Sequence, residues 1–272
     1  MKTRITIGVD NIPDSGLKEE WGLSLYIEYG EKSILLDAGA SDLFIDNYRR
    51  LGIDLKDVDY AVLSHAHYDH ANGFPSFLRL NDKAKLYVNE CVGTDCYFKK
   101  FFVSKYIGIP RALTSEFEDR IVRASGVYTI TDGVYLVSHK VDGYPAVGKK
   151  NMMYRKTPEG WKPDDLKHEQ SLVIDTDRGL MIFNSCSHSG PENIINEVRE
   201  GFPDKNIYGY VGGLHLYYMT NQEIKEVIRQ LDESGIEYIV TGHCTKDRAY
   251  KMLKDGLGDK VHQFRTGLVI EV

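Results

Sequence analysis

The sequence predicts an α/β protein in which sheets are covered by helices. Two observations predict this. Short apolar runs of strand length alternate with segments of helical period, most clearly after residue 165. Several runs, such as YAVLS (60–64) and LMIFN (180–184), are almost continuously apolar, as in strands buried on both faces. A third observation bears on function: four runs lead straight into histidine-bearing loops, as YAVLS-HAHYDH, LMIFN-SCSHSG, IYGYV-GGLHL and EYIVT-GHCT.

In chain order the strand-length runs are RITIGV (4–9), LSLYIEY (23–29), SILLD (33–37), YAVLS, KLYV (85–88), VYTI (127–130), VYLVS (134–138), SLVID (171–175), LMIFN, IYGYV (207–211) and YIVT (238–241). LSLYIEY alternates apolar and polar residues, so one of its faces is expected to be wet. Helical signals fall between the runs. Ser41 can cap DLFIDNYRRLG, which closes at Gly52. PENIINEVRE (191–200) opens with Pro at a first helical position. NQEIKEVIRQLDESG (221–235) repeats Ile224, Val227, Ile228 and Leu231 and stops at Gly235, and CTKDRAYKMLKDG (244–256) is similar. From His139 to Pro163 there is no period, only Gly, Pro and a basic patch, which predicts a long loop or lid. No linker separates two domains, so residues 1–272 are expected to form one domain carrying that lid.

A chain of 272 residues can bury an ample core, and 42% hydrophobic with 27% charged residues is the composition of a soluble globular protein. The net charge is −6 and Lys and Arg form no block, which argues against a nucleic-acid partner. MKTRITIGVD lacks the apolar core of a signal peptide. No run approaches the roughly 18 apolar residues that cross a bilayer. Cys91, Cys96, Cys186 and Cys244 show no paired spacing, so a disulfide framework is not expected and a reducing cytoplasm is.

The loop LSHAHYDHANGF (63–74) holds three of the nine histidines. Side chains on loops that follow buried strands gather at one sheet edge, where α/β proteins place their sites. His65, His67, His70, His188, His215 and His243 are therefore expected to converge. In an extended segment His65, His67 and Asp69 face the same way, and His70 joins them only if the chain turns. One tetrahedral ion has trouble using four residues of so tight a cluster, whereas two ions, one on each side of a turn, fit the spacing. Neutral imidazole and carboxylate suit Zn, Fe, Mn or Co. Two divalent ions, Zn foremost, are the expected cofactors.

H-A-H-Y-D-H resembles the H-x-H-x-D-H motif of the metallo-β-lactamase superfamily. ILLDAGAS (34–41) resembles that superfamily's early strand ending in Asp-x-Gly, SCSHSG its third-histidine loop and VTGHCT its last-histidine loop. The resemblance covers nearly the whole chain. EWGLSLYIEYGEKSILLDAGAS, YVGGLHL and GHCT together resemble a subgroup of metal-dependent hydrolases related to the dihydropterin-ribofuranosylaminobenzene-phosphate synthases. The resemblance implies an αββα sandwich, with two mixed sheets packed face to face and helices outside. It implies His65, His67 and His188 for one ion and Asp69, His70 and His243 for the other. Asp37 would stand behind the ligands and accept a ring N–H, although by sequence alone it could equally cap the helix after Ser41. Where most of the superfamily carries a bridging Asp, this chain reads Val211-Gly212-Gly213. His215 would either replace that Asp or contact substrate, and Gly212 and Gly213 could let a substrate approach the backbone.

Water held by such ions falls from a pKa of about 15.7 to about 7. The hydroxide would attack a carbonyl or phosphorus centre that the ions polarise, with Asp69 orienting it. The expected activity is hydrolysis of a small anionic ester or phosphodiester. The alternatives are a non-hydrolytic synthase or transferase for a pterin or phosphorylated ribose, as the resemblance implies, and a metal- or ligand-binding protein without turnover. GKKNMMYRK (148–156) places Lys149, Lys150, Arg155 and Lys156 in the expected lid, which suits an anionic ligand or, more plainly, a solvated surface. In CYFKKFFVSKY (96–106), Tyr97, Phe98, Phe101 and Phe102 are expected to pack a helix against the core, with a substrate pocket or a homodimer contact as alternatives. Cys186 and Cys244 flank ligand loops and are expected to be small packed side chains, with a place near the site as the alternative. His139, His168 and His262 are expected to be structural, with His168-Glu169 the pair most open to another role.

Overall fold

The computed structural model describes residues 1–14, 16–140 and 148–272, so 141–147 of the expected lid lie outside the described residues. Each apolar run becomes a strand. The first are β1 (Thr3–Val9), β2 (Ser24–Tyr29), β3 (Lys32–Leu36), β4 (Tyr60–Val62), β5 (Lys85–Asn89), β6 (Cys96–Lys100), β7 (Val103–Tyr106) and β8 (Ile121–Ala124). They are followed by β9 (Val127–Thr131), β10 (Val134–Ser138), β11 (Met153–Thr157), β12 (Gly160–Pro163) and β13 (Gln170–Thr176). The last are β14 (Gly179–Phe183), β15 (Ile207–Val211), β16 (Tyr238–Thr241), β17 (Val261–Gln263) and β18 (Val269–Glu271).

One sheet has the order β18-β1-β2-β3-β4-β5-β8 and a second the order β17-β16-β15-β14-β13-β10-β9. Both are mixed: β3, β4, β5 and β8 run parallel, as do β14, β15, β16 and β17, while the remaining pairings in the two sheets are antiparallel. Alternation along each strand divides the apolar residues between two layers. Ile34 and Leu36 of β3 meet Met181 and Phe183 of β14 in a core between the sheets. Leu35 of β3 instead packs outward with Phe44 and Tyr48 of the helix Leu43–Arg50 and with Phe74 and Phe77 of the helix Phe74–Leu80. On the opposite side Leu180 and Ile182 pack under Ile194 and Val198 of the helix Pro191–Gly201, Ile224 and Leu231 of the helix Asn221–Glu233, and Leu253 of the helix Lys246–Leu257. Two faces are buried, so the runs are continuously apolar; each such side chain contributes about 1.5–3 kcal/mol on burial. The result is an αββα sandwich.

Three expectations need correction. β2 is wet only toward its end: Ser24 is buried, its hydroxyl donates to Asp37 O (2.8 Å) and lies 3.2 Å from the Tyr48 hydroxyl, and Tyr26 packs edge-on to Tyr48, which leaves Glu28, paired with Arg4 (3.5 Å), to meet water. Ser24 and Tyr26 are covered by a helix rather than by water. CYFKKFFVSKY is not a helix but the hairpin β6–β7, with Phe101 and Phe102 exposed at its tip (81% and 104%). The second half of the expected lid is also a hairpin, β11–β12, and β11 pairs with β6 to build a third sheet, β12-β11-β6-β7. Each segment is a local hairpin, and only the β6–β11 pairing that joins them draws on a partner distant in the chain, which local period does not record. Among the described residues no helix is long and apolar enough to cross a membrane.

Candidate metal centre

The loop after β4 turns within a few residues. His67 N–H donates to His65 O (2.9 Å), and His67 is the extended residue that opens the short helix Tyr68–Ala71. His65 and His67 thus come from loop backbone and Asp69 and His70 from a helical turn, so Asp69 does not share an extended face with the two histidines. The turn separates the residues into the two expected groups. The ligating atoms of His65, His67 and His188 all lie within 4.8 Å of one another. On the other side Asp69 Oδ2 lies 3.8 Å from His70 Nε2 and 3.6 Å from His243 Nε2. His188, His215 and His243 arrive on the loops after β14, β15 and β16, and His215 and His243 are held at φ 51° and 50°. Left-handed backbone at two non-glycine residues is strain retained where a side chain must be aimed.

Hydrogen bonds behind the rings fix their tautomers. Asp37 Oδ1 accepts Ser64 N–H (2.8 Å), and Oδ2 accepts both the Ser64 hydroxyl (2.7 Å) and His70 Nδ1–H (2.7 Å). Ser64 Oγ, having donated to Asp37, accepts His65 Nδ1–H (2.8 Å). Each ring therefore turns an Nε2 lone pair toward the cluster, the arrangement in which carboxylates orient metal-binding imidazoles. Asp37 does not cap the neighbouring helix; Leu43 N–H donates to Ser41 Oγ (3.1 Å) instead. His243 Nδ1 faces Asn11 Oδ1 (3.1 Å). Glu169, fully buried, accepts His188 N–H and Ser189 N–H (both 2.8 Å) and the Ser189 hydroxyl.

Electrostatics complete the picture. Burial, with His168 nearby, pushes the His67 imidazole down to about 3. Burial and the neighbouring imidazoles push His65 and His188 well below the ordinary histidine range. Burial alone would raise Asp69, but His70 and His243 outweigh it and hold the carboxyl below its usual range. His65, His67 and His188 are therefore neutral imidazoles beside an ionised Asp69, and although burial alone would lower His243, that carboxylate raises it. Nε2 of His65, His67, His188 and His243 are buried with no hydrogen-bond partner. Buried polar atoms are almost always satisfied, and the lone pairs of His65, His67 and His188, whose ligating atoms lie within 4.8 Å of one another, are placed as a cation would need them. The donor set fits divalent metal.

A cavity of about 260 Å³ opens in front of the cluster. Its walls include Trp21, Tyr68, Phe98, Lys105, Met152 and Tyr217, so the third sheet supplies one side. His215 also lines it, with both ring nitrogens unpartnered and its ring centroid 4.1 Å from that of His188. Other expected substrate residues lie elsewhere. A Cβ on Gly212 would stand 1.7 Å from Asn184 O, and one on Gly213 would stand 2.6 Å from Cys244 Sγ. These glycines permit strand-to-strand approach rather than contact with the cavity. Lys149 is exposed, Lys150 pairs with Glu223, and Arg155 is held by Asp95 (2.8 and 3.1 Å). His139 lies between Glu197 and Ser171, and His262 packs on Tyr238. His168 and Glu169 are neither surface nor simple core residues: His168 Nδ1 accepts Ala66 N–H (3.1 Å) and Nε2–H faces Asp164 (3.3 Å), so the pair braces both ligand loops. A polar pair immediately before an apolar strand was the available signal for them. Cys186 and Cys244 are buried, and both border the cavity and the cluster.

Residues 22–188 match the Metallo-beta-lactamase superfamily. Among curated relatives, a Methanocaldococcus jannaschii protein named 7,8-dihydropterin-6-methyl-4-(beta-D-ribofuranosyl)-aminobenzene-5'-phosphate synthase is 24% identical over 97% of both chains. Among solved structures, Tm1679, a metal-dependent hydrolase of the beta-lactamase superfamily, has a TM-score of 0.85 at 28% identity over 99% of both chains. YhfI from Bacillus subtilis, a metallo-beta-lactamase fold protein, has a TM-score of 0.62 at 13% identity over the full length of both chains and shares the fold. With its sandwich, its histidine loops at one sheet edge and these matches, the chain belongs to the metallo-beta-lactamase superfamily.

Proposed function

We propose that the chain is a metal-dependent hydrolase of a small anionic ester or phosphodiester, with one divalent ion, Zn foremost, on His65, His67 and His188 and a second on Asp69, His70 and His243. The observation that carries this reading is the set of buried, unpartnered Nε2 atoms aimed at one another on the floor of an open cavity. When bound, the ions supply Lewis acidity, acidifying water and polarising the electrophile. The chain does the rest. Asp69, kept ionised by its two histidines, accepts a hydrogen bond from the attacking water and orients it. His215, unpartnered at the cavity wall, donates to an oxygen of the substrate. Lys105 lies 5.6 Å from the Tyr68 ring on the cavity wall and gives an anion its counter-charge. Trp21, Phe98 and Tyr217 shape the site for a flat or apolar body.

A second reading is a non-hydrolytic synthase or transferase for a pterin or a phosphorylated ribose derivative. It is favoured by the relative named as a synthase, which this chain matches over 97% of its length. One experiment tests both: elemental analysis of protein purified without chelator, followed by turnover of phosphodiesters, lactones and thioesters. Two metals with ester turnover are expected. Two metals without ester turnover favour the synthase, and less than about half an equivalent of metal would sink both.

A further inference from the structure

Two divalent cations in the proposed triads bring more positive charge than the carboxylate of Asp69 balances in a buried site. Three neighbouring buried carboxylates are committed elsewhere, and a fourth, Asp10, lies beside His243, accepts Ile12 N–H (3.2 Å) through Oδ2 and leaves its Oδ1 unpartnered. Asp37 serves Ser64 and His70, Glu169 serves the His188–Ser189 backbone, and Asp164 serves His168 and Leu166 N–H. The side chain that stands between the triads is Cys186. Its Sγ lies 3.3 Å from His70 Nε2. It also groups, within 4.8 Å, with ligating atoms of His65, of His188 and His215, and of His243. One sulfur atom therefore borders both triads, beside imidazole nitrogens that are buried and unpartnered.

The fold builds this position. Asn184 Oδ1 accepts Ser187 N–H (2.7 Å), Ser187 is held at φ 54°, and its hydroxyl donates to Gly213 O (2.6 Å). That turn sends Cys186 and His188 into the same cluster. Behind Cys186, Cys244 Sγ stands 3.5 Å from its sulfur and accepts His215 N–H (3.2 Å). Gly213 leaves the room Cys244 needs.

We propose that Cys186 is a thiolate ligand shared by the two ions, and that Cys244 is a positioning residue whose S–H donates to that thiolate. The inference rests on the two-ion reading above. The Cys186 proton is released to solvent as metal binds. A thiolate at this place steers the centre toward Zn, Fe or Co and away from Mn or Mg.

The test is X-ray absorption at the Zn edge of Zn-loaded protein, with near-ultraviolet charge-transfer absorption of Co-loaded protein. Expected for the unaltered chain are a sulfur shell at about 2.3 Å and an intense charge-transfer band. Both should be lost in Cys186→Ser and kept in Cys244→Ala. Cys186→Ser should also weaken the looser ion by about tenfold or more, at least what loss of an outer support costs. Bound metal with only nitrogen and oxygen neighbours overturns the thiolate and leaves the two-ion reading standing. A chain that takes up no metal overturns both. A sulfur shell that survives Cys186→Ser and vanishes in Cys244→Ala overturns the assignment of roles. Should Cys186→Ser fail to fold, the shell in Cys244→Ala decides.

Discussion

Glu169 shows how much of the centre depends on a residue that is not in it. Its carboxylate is fully buried and accepts two backbone N–H groups and a hydroxyl from the loop that carries His188. An amide in its place keeps one acceptor oxygen and turns an NH₂ donor toward another donor. Glu169→Gln should therefore cost about 2–3 kcal/mol, the scale of a charge-assisted bond lost with a buried group left unpaired. Urea unfolding measures it; a loss below about 0.5 kcal/mol would mean the carboxylate is not what holds the loop. The histidines and Asp69 were legible at this scale because their density in LSHAHYDHANGF admits few other readings. Glu169 and His168 were not, since a buried anion is recognised by the N–H groups that converge on it, and those come from loops far away in the chain. Cys186 was legible as a small residue flanking a ligand loop, because its grouping with His65, His70, His188 and His243 comes only from the fold.

Among the elements, strands buried on both faces were the easiest to read, because Leu35 and its neighbours face opposite layers and leave no polar gap. Strands of the third sheet carry mixed aromatics and lysines, and it is the β6–β11 pairing that joins their two local hairpins into a sheet. The helix Asn221–Glu233 combines both kinds of information. Its amphipathic period was plain, and a capping box closes its start: Thr220 Oγ1 accepts Glu223 N–H (3.3 Å) and Glu223 Oε2 accepts Thr220 N–H (2.7 Å). The Glu223–Lys150 pair could not be read, because Lys150 comes from a distant segment. Lys150 first, then the Thr220 N–H and hydroxyl, draw the Glu223 carboxyl down to about 2 from 4.5. A lowered acid stabilises the fold above its unfolded value and loses that contribution as pH falls through the folded one. Glu223→Gln should therefore be less stable than the parent at pH 6 and converge with it toward pH 2. With Glu223 this exposed, solvent screening keeps the difference below about 1 kcal/mol. Denaturant midpoints at the two pH values are the measurement, and a gap that widens on acidification would refute the assignment.

For the molecule as a whole, the proposed ligands divide by sheet. His65, His67, Asp69 and His70 follow β4 of the first sheet, whereas His188 and His243 follow β14 and β16 of the second. Each triad therefore takes residues from both sheets, and a bound ion would tie them together at one edge of the sandwich. Unfolding separates those ligands by long stretches of chain, so the native state binds metal far better than the unfolded one. Binding then stabilises the fold by RT ln(1 + [metal]/Kd), about 2.7 kcal/mol for one site at a hundredfold excess over Kd. For a chain of this size that corresponds to a rise in Tm of roughly 5–10 °C. Calorimetry of chelator-treated protein, repeated after Zn is restored, should show the loss and its recovery. His188→Ala protein, with one triad broken, should recover less than the parent. A Tm indifferent to Zn in the parent would mean that the converging imidazoles do not form a metal site coupling the two sheets, whatever activity the chain displays.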